Sequence, residues 1–210
     1  MNIENISSNP EKLSENGCCL IPDLIAEDLV TYISTQVEVD EIYRIRILTD
    51  QVNGSREVYN TTGMQILNQL IRERLQKLFT IPRLVSTYTF YRKYYRGQEL
   101  TRHSDRPECE FSVTLCLNMA EKDKPWPVYF ESTKQGIVYK AEPKIGDAVA
   151  YLGPQLPHWR DPCEQAWVKQ MFLHYSTNPY LEFDNNDGEK DEAYMITNHF
   201  IRHLIECHQS

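Results

Sequence analysis

The chain has 210 residues, of which 41% are apolar and 25% are charged, a composition typical of a soluble protein with a packed core. Its formal net charge of -8 repels phosphate backbones, so we expect no nucleic-acid partner. No stretch approaches the ~20 consecutive apolar residues of a transmembrane helix, and we expect no membrane partner.

The first part of the chain is predicted to be mainly helical. Leu29, Ile33 and Val37 recur every four residues and predict one helix with a single apolar face. A second helix is predicted over residues 62–79, where leucine and isoleucine form one stripe. Between the two helices, "YRIRILTD" (43–50) alternates like a strand.

The pattern changes at residue 84 to short apolar runs that are separated by Gly, Pro, Asn or Asp. Six runs predict strands between residues 84 and 176: "LVSTYTFYRKYY", "EFSVTLCLNM", "PVYFES", "GIVYKA", "DAVAYL" and "AWVKQMFLHYS". Short strands in close succession favour a sandwich or jelly roll over a βαβ sheet.

The predicted fold class is therefore α+β, with a cupin-like double-stranded β-helix, or jelly roll, between N-terminal helices and a C-terminal helix. We expect a single domain over residues 1–210. It divides into a helical support region (1–83), a jelly-roll core (84–178) and a C-terminal loop and helix (179–210). The last helix is predicted from "EAYMITNHFIRHLIECH".

The six cysteines show no CxxC pairing, and the N-terminal segment has no apolar core of the kind that a signal peptide needs. We therefore expect reduced thiols and a cytoplasmic protein.

Three side chains are candidates for a metal site. His103 and Asp105 lie in "RHSDRPECE", and two residues this far apart on an extended segment point to the same side. His158 follows the strand and Gly-Pro turn of "DAVAYLGPQLPH", and a jelly roll would place that strand beside the first. Two imidazoles and one carboxylate on one face suit non-haem Fe(II), because about three octahedral positions stay open. Taken alone, His-Ser-Asp is more often a polar surface turn.

A 2-oxoglutarate co-substrate would also need a buried cation for its far carboxylate. Lys169 lies in the apolar run "WVKQMFLHY", where a charge is costly unless it meets an anion. Arg160, two residues after His158, is the second candidate, since its guanidinium can bind a carboxylate with two hydrogen bonds. Tyr94, nine residues before His103, could add a hydroxyl. The sequence leaves the choice between Lys169 and Arg160 open.

Two motifs carry a family resemblance. "YYRGQELTRHSD" resembles the Tyr-x-x-Gly-x-x-x-x-x-His-x-Asp segment of prolyl 4-hydroxylase-like Fe(II)/2-oxoglutarate dioxygenases, and "KIGDAVAYLGPQLPHWRDP" resembles the strand and distal histidine of that superfamily. The resemblance implies that His103, Asp105 and His158 bind iron and that Tyr94 contacts 2-oxoglutarate. Lys169 matches the basic residue only loosely, because many members place that residue closer to the histidine and directly after a glycine, which this chain lacks there.

The resemblance implies an Fe(II)- and 2-oxoglutarate-dependent oxygenase that uses O2, with ascorbate as a reductant. It would hydroxylate a C–H bond of a peptidyl proline or a free amino acid and release succinate and CO2, so the partner is a small molecule or a peptide. One alternative is a cupin-like metal- or small-molecule-binding protein without turnover. Another is an oxidative nucleic-acid demethylase, which the acidic charge disfavours. The sequence does not identify the substrate or the oligomeric state.

Overall fold

Two β-sheets form the centre of the computed structural model, which describes residues 2–44, 46–48, 52–132 and 136–182. The strands are β1 (Asn2–Asn5), β2 (Cys18–Ile21), β3 (Arg46–Leu48), β4 (Ser55–Tyr59), β5 (Val85–Tyr95), β6 (Leu100–His103), β7 (Phe111–Met119), β8 (Val128–Glu131), β9 (Ile137–Ala141), β10 (Ala148–Tyr151), β11 (His158–Arg160) and β12 (Trp167–Ser176). The major sheet has the order β2-β10-β7-β12-β5-β4-β3, and the minor sheet has the order β1-β9-β8-β11-β6.

Helices cover one face of the major sheet. They are α1 (Lys12–Asn16), α2 (Glu27–Arg44) and α3 (Thr62–Leu78). Ile33 of α2 and Leu67 of α3 belong to the same buried cluster as Leu115 and Leu173 of the sheet. Among the residues that the structure describes, no helix is long and apolar enough to span a membrane.

The other face of the major sheet packs against the minor sheet. Along β7, Leu115 faces the helices and belongs to the buried cluster beneath them. Its neighbour Thr114 faces the other way and lines a pocket together with Phe130 of the minor sheet. The central strands are therefore buried on both faces, which explains why exposed and buried residues do not alternate along them. The space between the two sheets is where side chains from both can meet.

The six apolar runs predicted as strands each contain a strand, namely β5, β7, β8, β9, β10 and β12, which confirms that prediction. The two predicted helices correspond to α2 and α3. The strand predicted over 43–50 is confirmed at β3 (Arg46–Leu48), but it begins later than predicted because α2 continues to Arg44; residues 45, 49 and 50 lie outside the described residues. The helix predicted from "EAYMITNHFIRHLIECH" lies outside the described residues.

A buried ion pair joins β4 to β5. Arg92 Nε donates to Glu57 Oε1 at 2.5 Å, and the exposed fraction of the two side chains is 3% and 0%. Ser55 and Tyr59 donate to the same carboxylate at 2.8 and 3.0 Å, so each carboxylate oxygen of Glu57 has a donor. This network explains how β4 tolerates a carboxylate in the interior.

Glu57→Ala is expected to lower the free energy of unfolding by about 3–5 kcal/mol, because it breaks a buried ion pair by removing the Glu57 carboxylate from the Arg92 guanidinium. Urea denaturation followed by circular dichroism measures the change. The matched control is Glu131→Ala, which breaks the more exposed pair between Glu131 and Arg102 and should cost about 1 kcal/mol or less. Equal losses in the two variants would contradict the prediction.

Candidate metal centre

The candidate metal centre lies where β6 and β11 of the minor sheet run side by side. His103 ends β6 and His158 begins β11, and the antiparallel register places the two residues opposite each other. Asp105 follows in the turn after β6, where its backbone N–H donates to the Gly153 carbonyl at 3.0 Å. Strand pairing thus brings His158 to His103 and Asp105, from which it is distant in the sequence.

Three potential ligand atoms converge between these residues. Asp105 Oδ1 lies 3.6 Å from Nε2 of His103 and 3.6 Å from Nε2 of His158. Nδ1 of His103 donates to the Thr101 carbonyl at 2.8 Å, and Nδ1 of His158 donates to the Leu156 carbonyl at 2.9 Å, since carbonyls can only accept. In the neutral rings both Nε2 atoms are therefore unprotonated and face the carboxylate, which is the usual arrangement of metal-binding histidines.

The charge states at neutral pH also suit a metal ligand set. Burial opposes ionisation of Asp105, but the adjacent His103 and His158 rings, which become positively charged at low pH, lower the pKa of its carboxyl to about 2. Burial lowers the pKa of His158 below its ordinary value. At pH 7 an ionised carboxylate and a neutral imidazole are both ready to bind a cation without first losing a proton. The His103 side chain is 25% exposed and that of His158 is 4% exposed, so the site opens on the His103 side.

A small pocket lies between the two sheets beside His158. Its wall is mostly aromatic and aliphatic and includes Phe130 of the minor sheet and Phe172 of the major sheet. Thr114 and Arg160 add a hydroxyl and a guanidinium to the same wall. A metal ligand and a buried cation therefore line one cavity.

Arg160 is 1% exposed and has neutral hydrogen-bond partners. It donates to the carbonyls of Trp126 and Pro127 at 2.8 and 3.3 Å and to the Thr114 hydroxyl at 3.5 Å. No carboxylate among the described residues forms an ion pair with it, and burial lowers its pKa. Because a buried charge without a counter-ion is costly, this guanidinium fits an anionic ligand in the cavity.

Tyr94 lies next to this cation. It is fully buried, and its ring meets the Trp126 ring edge-on with 4.8 Å between centroids. The Arg160 guanidinium lies 4.8 Å from the centroid of the same Trp126 ring. The Tyr94 hydroxyl accepts a hydrogen bond from Arg92 at 3.2 Å. Tyr94 and Arg160 therefore flank a common tryptophan.

The structure does not bring Lys169 to the cavity. Lys169 alternates with Gln170 along β12, and Gln170 contacts Thr114 in the interior of the sandwich. Lys169 instead points to the helix-covered face, where it forms an ion pair with Glu38 of α2. Its charge thus has a partner within the fold, and Arg160 is the cation that lies beside the candidate ligands.

Two residues that sequence reasoning missed contact Asp105. The Ser112 hydroxyl lies 3.1 Å from Asp105 Oδ2. A Cβ atom at Gly153 would lie 2.8 Å from Asp105 Cβ and would collide with Oδ2. A serine inside "FSVTLCL" carries no signal of this contact, whereas the Gly-Pro turn before His158 does mark a close approach of two chain segments.

No family model and no curated protein matches the sequence. Solved structures do match the fold. A prolyl 4-hydroxylase from Pseudomonas putida superimposes with a TM-score of 0.63 at 15% identity, covering 81% of this chain and 98% of that one. An oxidoreductase of the 2OG-Fe(II) oxygenase family from Burkholderia pseudomallei gives 0.66 at 11% identity, with 84% and 95% covered.

A third similar structure is HygX from Streptomyces hygroscopicus, whose crystals contain nickel, 2-oxoglutarate and hygromycin B. It has a TM-score of 0.61 at 9% identity and covers 83% of this chain and 94% of its own. At such low sequence identity, the structural similarity establishes a common fold and no more. The chain has the jelly-roll fold of the 2-oxoglutarate- and Fe(II)-dependent oxygenases, prolyl 4-hydroxylases included.

Proposed function

We propose that this protein is an Fe(II)- and 2-oxoglutarate-dependent oxygenase that hydroxylates a C–H bond and releases succinate and CO2. The observation that carries the proposal is the convergence of His103, Asp105 and His158, which each offer one ligand atom within 4.8 Å of the others. Two imidazoles and a carboxylate leave open coordination positions and are the donor set of non-haem Fe(II) oxygenases. The shared fold supports the same reading.

The side chains at this site fit both Fe(II) and 2-oxoglutarate. His103, Asp105 and His158 would hold Fe(II), and Arg160 would bind the far carboxylate of 2-oxoglutarate, with Tyr94 beside it. When bound, Fe(II) and 2-oxoglutarate would supply the electrons that reduce O2 and so activate it for attack on a C–H bond. The chain's own part is to orient these groups and to exclude water, which the apolar wall around His158 does.

The proposed substrate is a peptidyl proline or a free amino acid. Two matched structures are prolyl hydroxylases, and a further one, from Trichoplax adhaerens, is a prolyl hydroxylase in complex with a peptide fragment. The opening of the site on the His103 side leaves room for a substrate to approach from outside the sandwich. A panel of proline-containing peptides and free amino acids, each analysed by mass spectrometry for the gain of one oxygen atom, tests this substrate class.

We also infer one domain over residues 1–210 with a double-stranded β-helix at its centre. The support is that both sheets contribute to a single cavity. A cytoplasmic location is inferred because Cys18, Cys19, Cys109, Cys116 and Cys163 are all free thiols, as expected in a reducing compartment. The acidic net charge of -8 supports a substrate other than nucleic acid.

The reaction class is tested by measuring turnover of 2-oxoglutarate without a substrate to be hydroxylated. The purified protein is supplied with 2-oxoglutarate, Fe(II), O2 and ascorbate, and succinate is measured. We expect slow succinate formation that requires Fe(II) and stops when a chelator is added. No succinate from a protein that binds neither Fe(II) nor 2-oxoglutarate would refute the proposed function.

A further inference from the structure

The two carboxylate oxygens of Asp105 have different neighbours. Oδ1 lies 3.6 Å from Nε2 of both His103 and His158, whereas Oδ2 lies 3.1 Å from the Ser112 hydroxyl. We propose that Ser112 is a positioning residue that holds Asp105 as a one-oxygen metal ligand. The inference rests on the proposed function, because it assigns a role at the same metal centre.

The direction of the hydrogen bonds at Ser112 follows from their partners. Its hydroxyl has one proton and lies 3.1 Å from Asp105 Oδ2, 3.2 Å from the Cys109 carbonyl and 2.8 Å from His174 Nδ1. An ionised carboxylate is the strongest acceptor of the three, so the hydroxyl donates to Oδ2. The oxygen of Ser112 then accepts from Nδ1–H of His174.

His174 fixes the Ser112 hydroxyl in this orientation. Its side chain is 2% exposed, and its ring stacks on the Tyr88 ring with 4.4 Å between centroids. Ser112 and His174 lie directly opposite each other on the paired strands β7 and β12, at the centre of the major sheet. The major sheet thus orients Asp105, a candidate metal ligand in the loop after β6. The contacts from His174 through Ser112 to Asp105 connect the two sheets.

Gly153 confines Asp105 from the other side. Its carbonyl accepts from the Asp105 backbone N–H at 3.0 Å, and a Cβ at this glycine would lie 2.8 Å from Asp105 Cβ and 2.8 Å from the Cys109 carbonyl. Asp105 therefore cannot turn Oδ2 toward the histidines without breaking its bond to Ser112. One-oxygen binding keeps open a coordination position that a two-oxygen carboxylate would fill, and an oxygenase needs that position for its co-substrates.

The test is direct binding of Co(II), measured by calorimetry and by the visible absorption of the bound ion, so that it needs no activity. Ser112→Ala is expected to weaken Co(II) binding by about 10–100-fold, the usual effect of removing a group that orients a metal ligand. Ser112→Thr keeps the hydroxyl and should stay within a few-fold of wild type. The matched control is Ser86→Ala, since Ser86 is also fully buried and its hydroxyl has no hydrogen-bond partner among the described residues.

The outcomes separate this inference from the proposed function. The positioning role would be overturned if Ser112→Ala bound Co(II) as tightly as Ser86→Ala does. It would also be overturned if Ser112→Thr bound Co(II) as weakly as Ser112→Ala does. If Ser112→Ala does not fold, Ser112→Cys takes its place, because a thiol fills the same space but is a much weaker donor, and unchanged Co(II) affinity in that variant overturns the inference. Wild-type protein that does not bind Co(II), or His103→Ala that binds it as tightly as wild type, would instead refute the metal centre itself.

Discussion

His103→Ala is expected to abolish Fe(II)-dependent succinate formation and to weaken Co(II) binding by at least about 100-fold, because loss of a ligand costs more than loss of the group that orients it. His103 is the best ligand to remove, since a quarter of its side chain is exposed and its truncation leaves the buried core intact. Metal titration of the purified variant, followed by calorimetry, gives the affinity, and quantification of succinate gives the turnover.

The control for this variant is Arg102→Ala, one residue earlier on β6. Arg102 is half exposed and pairs with Glu131 at 2.5 Å, so its loss removes a surface ion pair from the same strand without touching the candidate ligands. Metal affinity in Arg102→Ala should match wild type. A His103→Ala variant that keeps Fe(II)-dependent turnover would remove His103 from the proposed ligand set, and the site would need a different third ligand.

Long strands and helices could be predicted from the sequence because their patterns extend over many residues. β5, β7 and β12 are strands of 11, 9 and 10 residues that are rich in apolar and aromatic side chains, and α3 shows a repeated apolar stripe. β6 and β11 contain only four and three residues, too few for an alternating pattern to appear. These two short strands nevertheless place His103 opposite His158, so the histidines were predictable from their motifs and the strands that pair them were not.

The choice between Lys169 and Arg160 could not be made from the sequence, because β12 is buried on both faces. In a strand that is buried on one face, alternation shows which residues point inward, and a strand between helices and a second sheet lacks that signal. Lys169 then has two plausible environments, and only Glu38 of α2, far away in the sequence, decides between them. Ser112 was missed for a related reason, since its partner Asp105 lies outside any regular element.

Arg160→Met is expected to raise the dissociation constant for 2-oxoglutarate by at least about 30-fold, since removing one side of a buried charge pair costs about 2 kcal/mol or more. The measurement is calorimetric titration of 2-oxoglutarate into the Co(II)-loaded protein. A second readout is thermal unfolding, because a ligand stabilises only a protein that binds it. Wild type should unfold at a higher temperature in the presence of 2-oxoglutarate, and Arg160→Met should show no such increase.

Lys169→Met is the matched control, because it also removes one buried positive charge from a strand of the sandwich. Its ion pair with Glu38 lies on the helix-covered face, so 2-oxoglutarate affinity should be unchanged. Loss of affinity in Lys169→Met together with normal binding in Arg160→Met would contradict the assignment and would require β12 to present its other face to the cavity.

A further variant, Arg160→Lys, separates the effect of the charge from that of the guanidinium shape. A lysine keeps the charge but cannot offer two parallel N–H donors. An affinity for 2-oxoglutarate between those of Arg160→Met and wild type would show that both the charge and the bidentate hydrogen bonding hold the carboxylate.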